Sequence, residues 1–425
     1  MTKGKIIGGI DIGTSKVTTV IASRLEGADK INVIGVATYP SAGLRKSQIV
    51  DIEEAIGSIT QSIEAAERMA GCALSKAFVS INGTHIQSQN SKGVVAVAEP
   101  EGEITMEDVS RVIEAARAIS LPTSREILHV IPRDFIVDSQ EGIKDPLGMT
   151  GVRLEVETHI VTGSSTAMKN LVKCVQELGI DIEALVFSGL AASEVVLTET
   201  EKELGVCLVD IGGGTTSIAV FIEGSLAYSS VLPIGAKNIT NDLAIGLRVS
   251  LDSAEKIKKA LGEKKKSLAK KDGQDELDLS RLDLEEKLTN VSRKTVVEGI
   301  IQPRLRELFQ MVGGELKKSG YGGGTPAGIV VTGGGAQTSG IVPACKRTLS
   351  LPVRLGTPSG LAGLIDEIKT PAFAVSQGLI VYGYKNFEKA SNPSFSLAKI
   401  GHILGRIPAK GAVNKTIDFI KSFLP

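Results

Sequence analysis

The chain has 425 residues and equal numbers of basic and acidic side chains, so its formal charge is zero. That length implies two lobes rather than one core, and the neutral balance argues against a general nucleic-acid binder, which carries a basic domain. Cys72, Cys174, Cys207 and Cys345 are scattered, with no Cys-x-x-Cys pair, which suits a reducing cytosol. No signal-peptide core opens the chain, and no apolar run nears the ~20 residues of a bilayer span, so any membrane contact is expected to be peripheral.

Residues 6–12 are an apolar run ending in Asp11-Ile12-Gly13-Thr14-Ser15-Lys16, and residues 17–22 are apolar again. This predicts two strands joined by a tight turn. A third strand is predicted over 31–38 and an amphipathic helix through Ile52, Ile56, Ile59, Ile63 and Ala66, followed by a strand over 77–81. After Gly83 the pattern becomes a compact α+β block, read as an inserted subdomain over 84–162. It has strands at 94–98, 127–131, 133–138 and 154–162. Its helix opens at Thr105 in a capping-box arrangement with Asp108, and Met106, Val109, Ile113 and Ala116 line one face. A helix over 165–178, a strand over 182–187 and a helix from Ala191 follow.

Residues 206–210 then form a buried strand running into Gly212-Gly213-Gly214-Thr215-Thr216, with a return strand over 217–222. This repeats the logic of the N-terminal segment and predicts two related lobes. The charge-dense stretch 256–286 reads as a solvated surface. A strand over 329–332 enters Gly333-Gly334-Gly335-Ala336, a closing helix is predicted over 370–384, and residues 386–410 read as a linker.

Glycine lets backbone N–H groups approach a phosphate closely, and consecutive N–H groups make an anion nest. Asp11 and Asp210 close their strands beside such turns. Two carboxylates facing one anion require a cation, and Mg²⁺ held mostly through water fits. Lys16 and the hydroxyls of Thr14, Ser15, Thr215 and Thr216 add charge and hydrogen bonds. Neither Gly-x-x-x-x-Gly-Lys-Ser/Thr nor Gly-x-Gly-x-x-Gly occurs. Any one turn alone could be a structural hairpin; three in order at domain-sized spacing are specific. His129, between Leu128 and Val130, reads as a strand histidine in a structural role, and the four histidines form no obvious metal cluster.

The tail from Lys385 to Pro425 carries seven basic and two acidic residues. On a helix over 411–425, Val413, Ile417, Phe419, Ile420, Phe423 and Leu424 fall within an arc of ~160°. Asn414, Lys415, Asp418, Lys421 and Ser422 lie opposite, the pattern of an interfacial helix. Docking on its own body or in a partner's groove is the alternative. The six apolar side chains contribute part of about 1.5–3 kcal/mol each. Lys410, Lys415 and Lys421 add about 1 kcal/mol each near anionic lipid, and ordering the helix opposes both. One such anchor is reversible; several linked in a filament gain avidity.

The three turns, Asp11–Lys16, Asp210–Thr216 and Thr332–Ala336, resemble the first phosphate, second phosphate and adenosine motifs of the actin and heat-shock chaperone ATPase superfamily. More narrowly, Leu128-His129-Val130-Ile131-Pro132, Gln140-Glu141-Gly142-Ile143-Lys144-Asp145-Pro146, Leu197-Thr198-Glu199 and Glu203-Leu204-Gly205-Val206-Cys207 resemble the FtsA family, bacterial division proteins that tie FtsZ filaments to the membrane. The resemblance implies an α/β, two-lobed actin-like ATPase fold. Residues 1–83 and 163–195 would form the first lobe, 84–162 the insert, 196–385 the second lobe, and 411–425 the membrane helix. It implies ATP and Mg²⁺ in the interlobe cleft, with Glu255 and Lys258 on the helix that meets base and ribose.

It further implies that the FtsZ C-terminal tail docks on 236–325. Arg304 matches a position linked to that docking, and Arg293 and Lys294 are nearby candidates that a solvated helix face explains equally. Self-association, an anionic membrane surface and other division proteins at the insert complete the implied partners, at the cytoplasmic face of the membrane at the division site. Two departures point to tight ATP binding with slow hydrolysis. Ser217 stands where the superfamily often has Asp, and Ser188-Gly189-Leu190-Ala191-Ala192-Ser193 lacks the Glu with which chaperone relatives position the attacking water. The alternatives are an actin-like assembly ATPase of a pilus or secretion platform, or a sugar or acetate kinase, for which no catalytic Asp stands out.

Overall fold

The computed structural model describes residues 5–24, 30–98, 102–262, 275–286 and 288–391. The first sheet begins with β1 (Lys5–Ile12) and β2 (Lys16–Arg24), an antiparallel hairpin, with β3 (Ile31–Pro40) antiparallel to β2. A two-rung ribbon, β4 (Leu44–Arg45) and β5 (Gln48–Ile49), precedes α1 (Ile52–Ala70). Asp51 caps α1 by accepting from Glu54 N–H, and Gly71 ends it at φ 68°. Of the predicted face, Ile59, Ile63 and Ala66 are buried, joined by Ala55, while Ile52 and Ile56 are half-buried at its edge. β6 (Lys76–Ile81) returns parallel to β1.

The insert comprises β7 (Gln87–Ala96), α2 (Met106–Arg117), β8 (Arg125–Val137), β9 (Gln140–Ile143) and β10 (Arg153–Ser164), in sheet order β7-β10-β8-β9. Both halves of the Thr105–Asp108 capping box form. Val109, Val112, Phe135, Val137, Leu154 and Val156 make a small core of their own. The two strands expected at 127–131 and 133–138 are one strand. Pro132, which cannot donate to a ladder, sits where the register with β10 shifts between Glu157 and Thr158, so the bulge absorbs it.

α3 (Ser165–Gln176) and β11 (Asp181–Phe187) complete the crossover, and α4 (Ser188–Val196) and α5 (Glu199–Leu204) lead to the second lobe. There β12 (Val206–Ile211), β13 (Thr216–Ile222) and β14 (Ser225–Leu232) form an antiparallel run. α6 (Ala236–Leu247), α7 (Leu251–Gly262), the ribbon of β15 (Glu276–Asp278) and β16 (Asn290–Ser292), and α8 (Gln302–Ser319), entered through a π-helical turn, cover one face. β17 (Ile329–Thr332), α9 (Ile341–Leu349) and β18 (Val353–Leu355) finish that sheet. β19 (Leu361–Gly363) and α10 (Ala374–Ser391) return to the first lobe.

The sheet orders are β11-β6-β1-β2-β3-β19 and β14-β13-β12-β17-β18. Apart from β19 they are the same: an antiparallel triple flanked by two parallel strands. The echo read in the sequence is therefore a repeat of topology. Alternate residues of β12 serve two cores. Val206 and Leu208 pack with the first lobe, while Cys207, Val209 and Ile211 pack under α6–α9.

The insert also rests on β14. Ser88 Oγ donates to Ser229 O (2.7 Å) and accepts from Ser229 N–H (3.1 Å). His159 is buried there between Asn90 Oδ1 (2.7 Å) and Ser229 Oγ (2.9 Å), and burial, with Arg133 nearby, pushes its ring down to about 3. His129 Nε2 accepts from Phe187 N–H (3.0 Å), a bond inside the fold.

Three further expectations are corrected. Leu277, Leu279 and Leu284, within the supposedly solvated stretch, are core residues, because β15 and the turn after it fold under α7. The closing helix starts at Ala374, after a 3₁₀ turn over Pro371–Phe373. It runs on to Ser391 through the first residues assigned to the linker, which contain no Gly or Pro; Pro393 is the first breaker. The rest of that linker, and the tail with Val413, Lys415, Ile417, Phe419, Ile420, Lys421, Phe423 and Leu424, lie outside the described residues.

Candidate functional site

The two hairpin turns have the same internal bond. Gly13 N–H donates to Lys16 O (3.1 Å) at the end of β1, and Gly212 N–H donates to Thr215 O (2.9 Å) at the end of β12. Around the second turn, Gly212 O and Gly213 O accept from the N–H groups of Ala236 and Lys237, the first residues of α6 (2.9 and 2.8 Å). Across a trans peptide the N–H opposes the C=O. The N–H groups of Gly213 and Gly214 are thereby aimed away from α6, as an anion nest requires. Gly235 is necessary for this approach: a Cβ there would stand 2.6–2.7 Å from those two carbonyl oxygens.

The turns of the two lobes meet. A Cβ on Gly213 would lie 2.0 Å from Ser15 Oγ, and one on Gly214 would lie 2.9 Å from Thr14 Oγ1. Ser47, between β4 and β5, links both sides: its N–H donates to Thr14 Oγ1 (2.8 Å) and its hydroxyl bonds Thr215 Oγ1 (3.0 Å). Asn82, just past β6, donates through Nδ2 to Ser217 Oγ (2.8 Å). Lys237 Nζ donates to Thr14 O (3.0 Å). The third turn closes on the same point. Gly333, at φ 84°, lies against Asp210, and Gly335 lies against Ile211.

Asp11 and Asp210 form the floor. Asp11 accepts from Ser80 Oγ (2.8 Å), and burial raises its carboxyl above the usual range. Burial, and then the charge of Asp11, push Asp210 up to about 7. Two carboxylates that resist ionising together are a fitting place for a divalent cation. Among the described residues no group of three or more His, Cys, Asp or Glu could hold a metal ion. Lys16 Nζ lies 3.3 Å over the Phe373 ring, and burial lowers it to about 8 against the pull of Asp11.

The remaining predicted residues fall into place unevenly. Thr216 Oγ1 donates to Ile234 O (2.8 Å), so its hydroxyl serves the second lobe rather than the cleft. Lys258 Nζ is buried on Glu255 (2.6 Å), Thr240 Oγ1 (2.8 Å) and Ala236 O (3.3 Å), which makes Glu255 and Lys258 one unit joining α7 to α6. Arg304 forks onto Asp242 (2.5 and 2.8 Å) and also pairs with Glu307. Arg293 and Lys294 are exposed, and their backbone N–H groups are tied to Asp275. Ser47, Ser80, Asn82 and Lys237 were not picked out from sequence. Each is a common polar residue outside the glycine motifs, and only the folded chain brings it to them.

The chain is similar to known proteins in two parts and as a whole. The family model described as the SHS2 domain inserted in FtsA matches residues 83–162, and that described as cell division protein FtsA matches residues 207–378. Cell division protein FtsA of Pseudomonas aeruginosa is 41% identical over 393 residues, covering 92% of this chain and 93% of that protein. Among solved structures, the PilM–PilN type IV pilus biogenesis complex superposes with a TM-score of 0.59 at 16% identity, over 89% of this chain and 98% of that one. MreB5 of Spiroplasma citri bound to ADP superposes with a TM-score of 0.50 at 13% identity, over 91% of this chain and 99% of that one. The fold is the two-lobed actin-like fold with an inserted α+β subdomain.

Proposed function

Because the chain belongs to the FtsA family of cell division proteins, we propose that it is an ATP-binding, self-associating adaptor that holds FtsZ filaments on the cytoplasmic face of the membrane at the division site. The observation that carries the nucleotide half is the meeting of three glycine turns over the Asp11–Asp210 pair. Polyphosphate would lie in the N–H groups of Gly213, Gly214, Ser15 and Lys16, with Mg²⁺ neutralising the carboxylates through water. The resemblance assigns base and ribose to α7, where Lys258 is tied to Glu255 and Thr240. Mg²⁺ supplies charge neutralisation; the chain supplies orientation. Ser217 is a hydroxyl already bonded by Asn82, and Ser188–Ser193 offers no carboxylate, so hydrolysis is expected to be slow.

The membrane half rests on the amphipathic tail, 411–425, and on family membership. Among the described residues no helix is long and apolar enough to cross a membrane. The partner half rests on the surface around Arg304, Arg293 and Lys294, where Ile245, one turn beyond Asp242 on α6, is an exposed apolar side chain near the Arg304–Asp242 fork. A short peptide with acidic and apolar residues suits that mixture. The pilus-platform alternative has the fold in its favour, but a 16% identity carries no more than fold, and the division-protein relative is 41% identical.

Flotation with anionic liposomes, ATP–Mg²⁺ and assembled FtsZ tests the reading, with the full chain beside one ending at Lys410. The full chain is expected to carry FtsZ up with the vesicles, and the shortened chain to leave it below. Vesicle binding without FtsZ would remove the partner; no flotation of either chain would remove the anchor.

A further inference from the structure

Side chains cross between the lobes in both directions at the phosphate turns: Lys237 from the second lobe, and Ser47 and Asn82 from the first. Lys237 belongs to the second lobe, and its own N–H is fixed on Gly213 O, so its Cα is pinned to the second turn. Its ammonium crosses the cleft and donates to Thr14 O in the first turn (3.0 Å, between residues 223 apart in sequence). Asn82 belongs to the first lobe, and its amide crosses the other way to Ser217 Oγ (2.8 Å) and, more distantly, Thr215 Oγ1 (3.5 Å). The crossings of Lys237 and Asn82 differ in chemistry. Asn82 is neutral and reaches a hydroxyl. Lys237 is a cation, and among the described residues its partner is a neutral carbonyl rather than a carboxylate.

Two other lysines of the cleft are placed differently. Lys258 is turned into its own lobe onto Glu255, and Lys16 is held between the Phe373 ring and the charge of Asp11. Lys237 is exposed at the rim and touches both turns, one through its backbone and one through its side chain. Its ammonium has three donors and uses one on Thr14. An anion seated on the N–H groups of both turns would lie within reach of the rest, and its charge would strengthen with each phosphate added.

We propose that Lys237 and Asn82 form a two-sided latch across the cleft, in which Lys237 also binds the phosphate chain and makes affinity depend on phosphate charge. The proposal rests on the nucleotide reading above. It assigns to Lys237 a phosphate contact beyond the glycine turns, and to Asn82 a positioning role that holds the turns together without reading charge.

Calorimetric titration of the full chain with ATP, ADP and AMP in Mg²⁺ tests it. Lys237→Gln keeps an N–H donor, on a side chain one bond shorter, and removes the charge. It is expected to weaken ATP by about ten- to a hundredfold, ADP by less and AMP least, by no more than Asn82→Ala weakens it, in line with the loss of a charge-assisted hydrogen bond on top of the loosened latch. Lys237→Arg is expected to restore most of the loss, and Asn82→Ala to weaken all three nucleotides alike. In nucleotide-free protein, hydrogen exchange over 12–17 and 212–216 is expected to quicken in both Lys237→Gln and Asn82→Ala. Equal loss for the three nucleotides in Lys237→Gln, or no loss, overturns the phosphate contact. Unchanged exchange in both variants overturns the latch. A wild-type chain that binds none of the three nucleotides removes the nucleotide reading itself, and the phosphate contact with it.

Discussion

Gly333 lies so close to Asp210 that a Cβ built on it would stand 2.2 Å from the carboxylate Oδ1, and its φ of 84° is one that side chains rarely adopt. Gly333→Ala must move Asp210 or the third turn. A loss of ATP affinity of at least about tenfold is expected by calorimetry, with a stability loss on the order of 1–3 kcal/mol. Gly320→Ala is the control. Its φ is also positive, but it ends α8 with open space around it, so about 1 kcal/mol of stability should be lost with nucleotide binding intact.

Asp210 keeps its proton to about pH 7 in the folded protein, against an ordinary value of 3.8. A raised carboxyl contributes stability that is fully present below the ordinary value and lost as pH rises through about 7. Metal-free protein should therefore melt lower at pH 8 than at pH 6. Asp210→Asn should abolish much of that difference and, at pH 8, raise the melting temperature. Added Mg²⁺ should stabilise the wild type but not the variant. Thermal melts across pH with and without Mg²⁺ check both halves; a variant that responds to Mg²⁺ like the wild type would remove Asp210 from the metal site.

His159 presents the opposite sign. Its ring is pushed down to about 3 from 6.5, so it stays neutral in the seam while an unfolded chain would take up a proton. The stability it provides is present above about pH 6.5 and is lost as pH falls from there towards 3. Amide exchange over 225–232 should quicken between pH 7 and pH 5, after correction for intrinsic rates. His159→Gln should weaken the seam at pH 7 and flatten that dependence.

The Arg304–Asp242 fork joins α8 to α6 at the proposed peptide surface. Arg304→Glu places a third acid beside Asp242 and Glu307 and should cost roughly 1–2 kcal/mol in urea unfolding. Binding of the FtsZ tail peptide should fall by at least about tenfold by fluorescence anisotropy. Arg293→Ser and Lys294→Ser, at exposed positions, should leave stability within about 0.5 kcal/mol. Intact peptide binding in all three variants would move the docking surface elsewhere.

Single-turnover cleavage of ATP should be much slower than that of assembling actin, because Ser217 and Ser188–Ser193 offer no carboxylate to the attacking water. Cleavage at a comparable rate would show that another group does this work.

Much of the fold was legible because it is local. The strand, Gly-rich turn and strand over 6–22 and again over 206–222, the stripe of α1 and the Thr105–Asp108 box each arise from residues within a few turns or rungs of one another. Periodicity and turn chemistry reveal such features directly. β8 was less legible, since Pro132 reads as an interruption until the register with β10 shows a bulge. The burial of Leu277, Leu279 and Leu284 was hidden by the charges around them.

The sequence by itself determined the family, the three glycine turns and the two acids that accompany them, because those turns need glycine at set places along a short stretch of backbone. The tertiary structure decided which side chains cross the cleft and which are turned away from it. Lys237 meets Thr14 across 223 positions and Asn82 meets Ser217 across 135, while Lys258, drawn by motif to the nucleotide, is held by Glu255 and Thr240. A lysine or asparagine carries no local mark of such a partner. Its role is set when two sheets of the same topology are packed with their turns facing, and only then do distance and burial choose among otherwise equivalent polar residues.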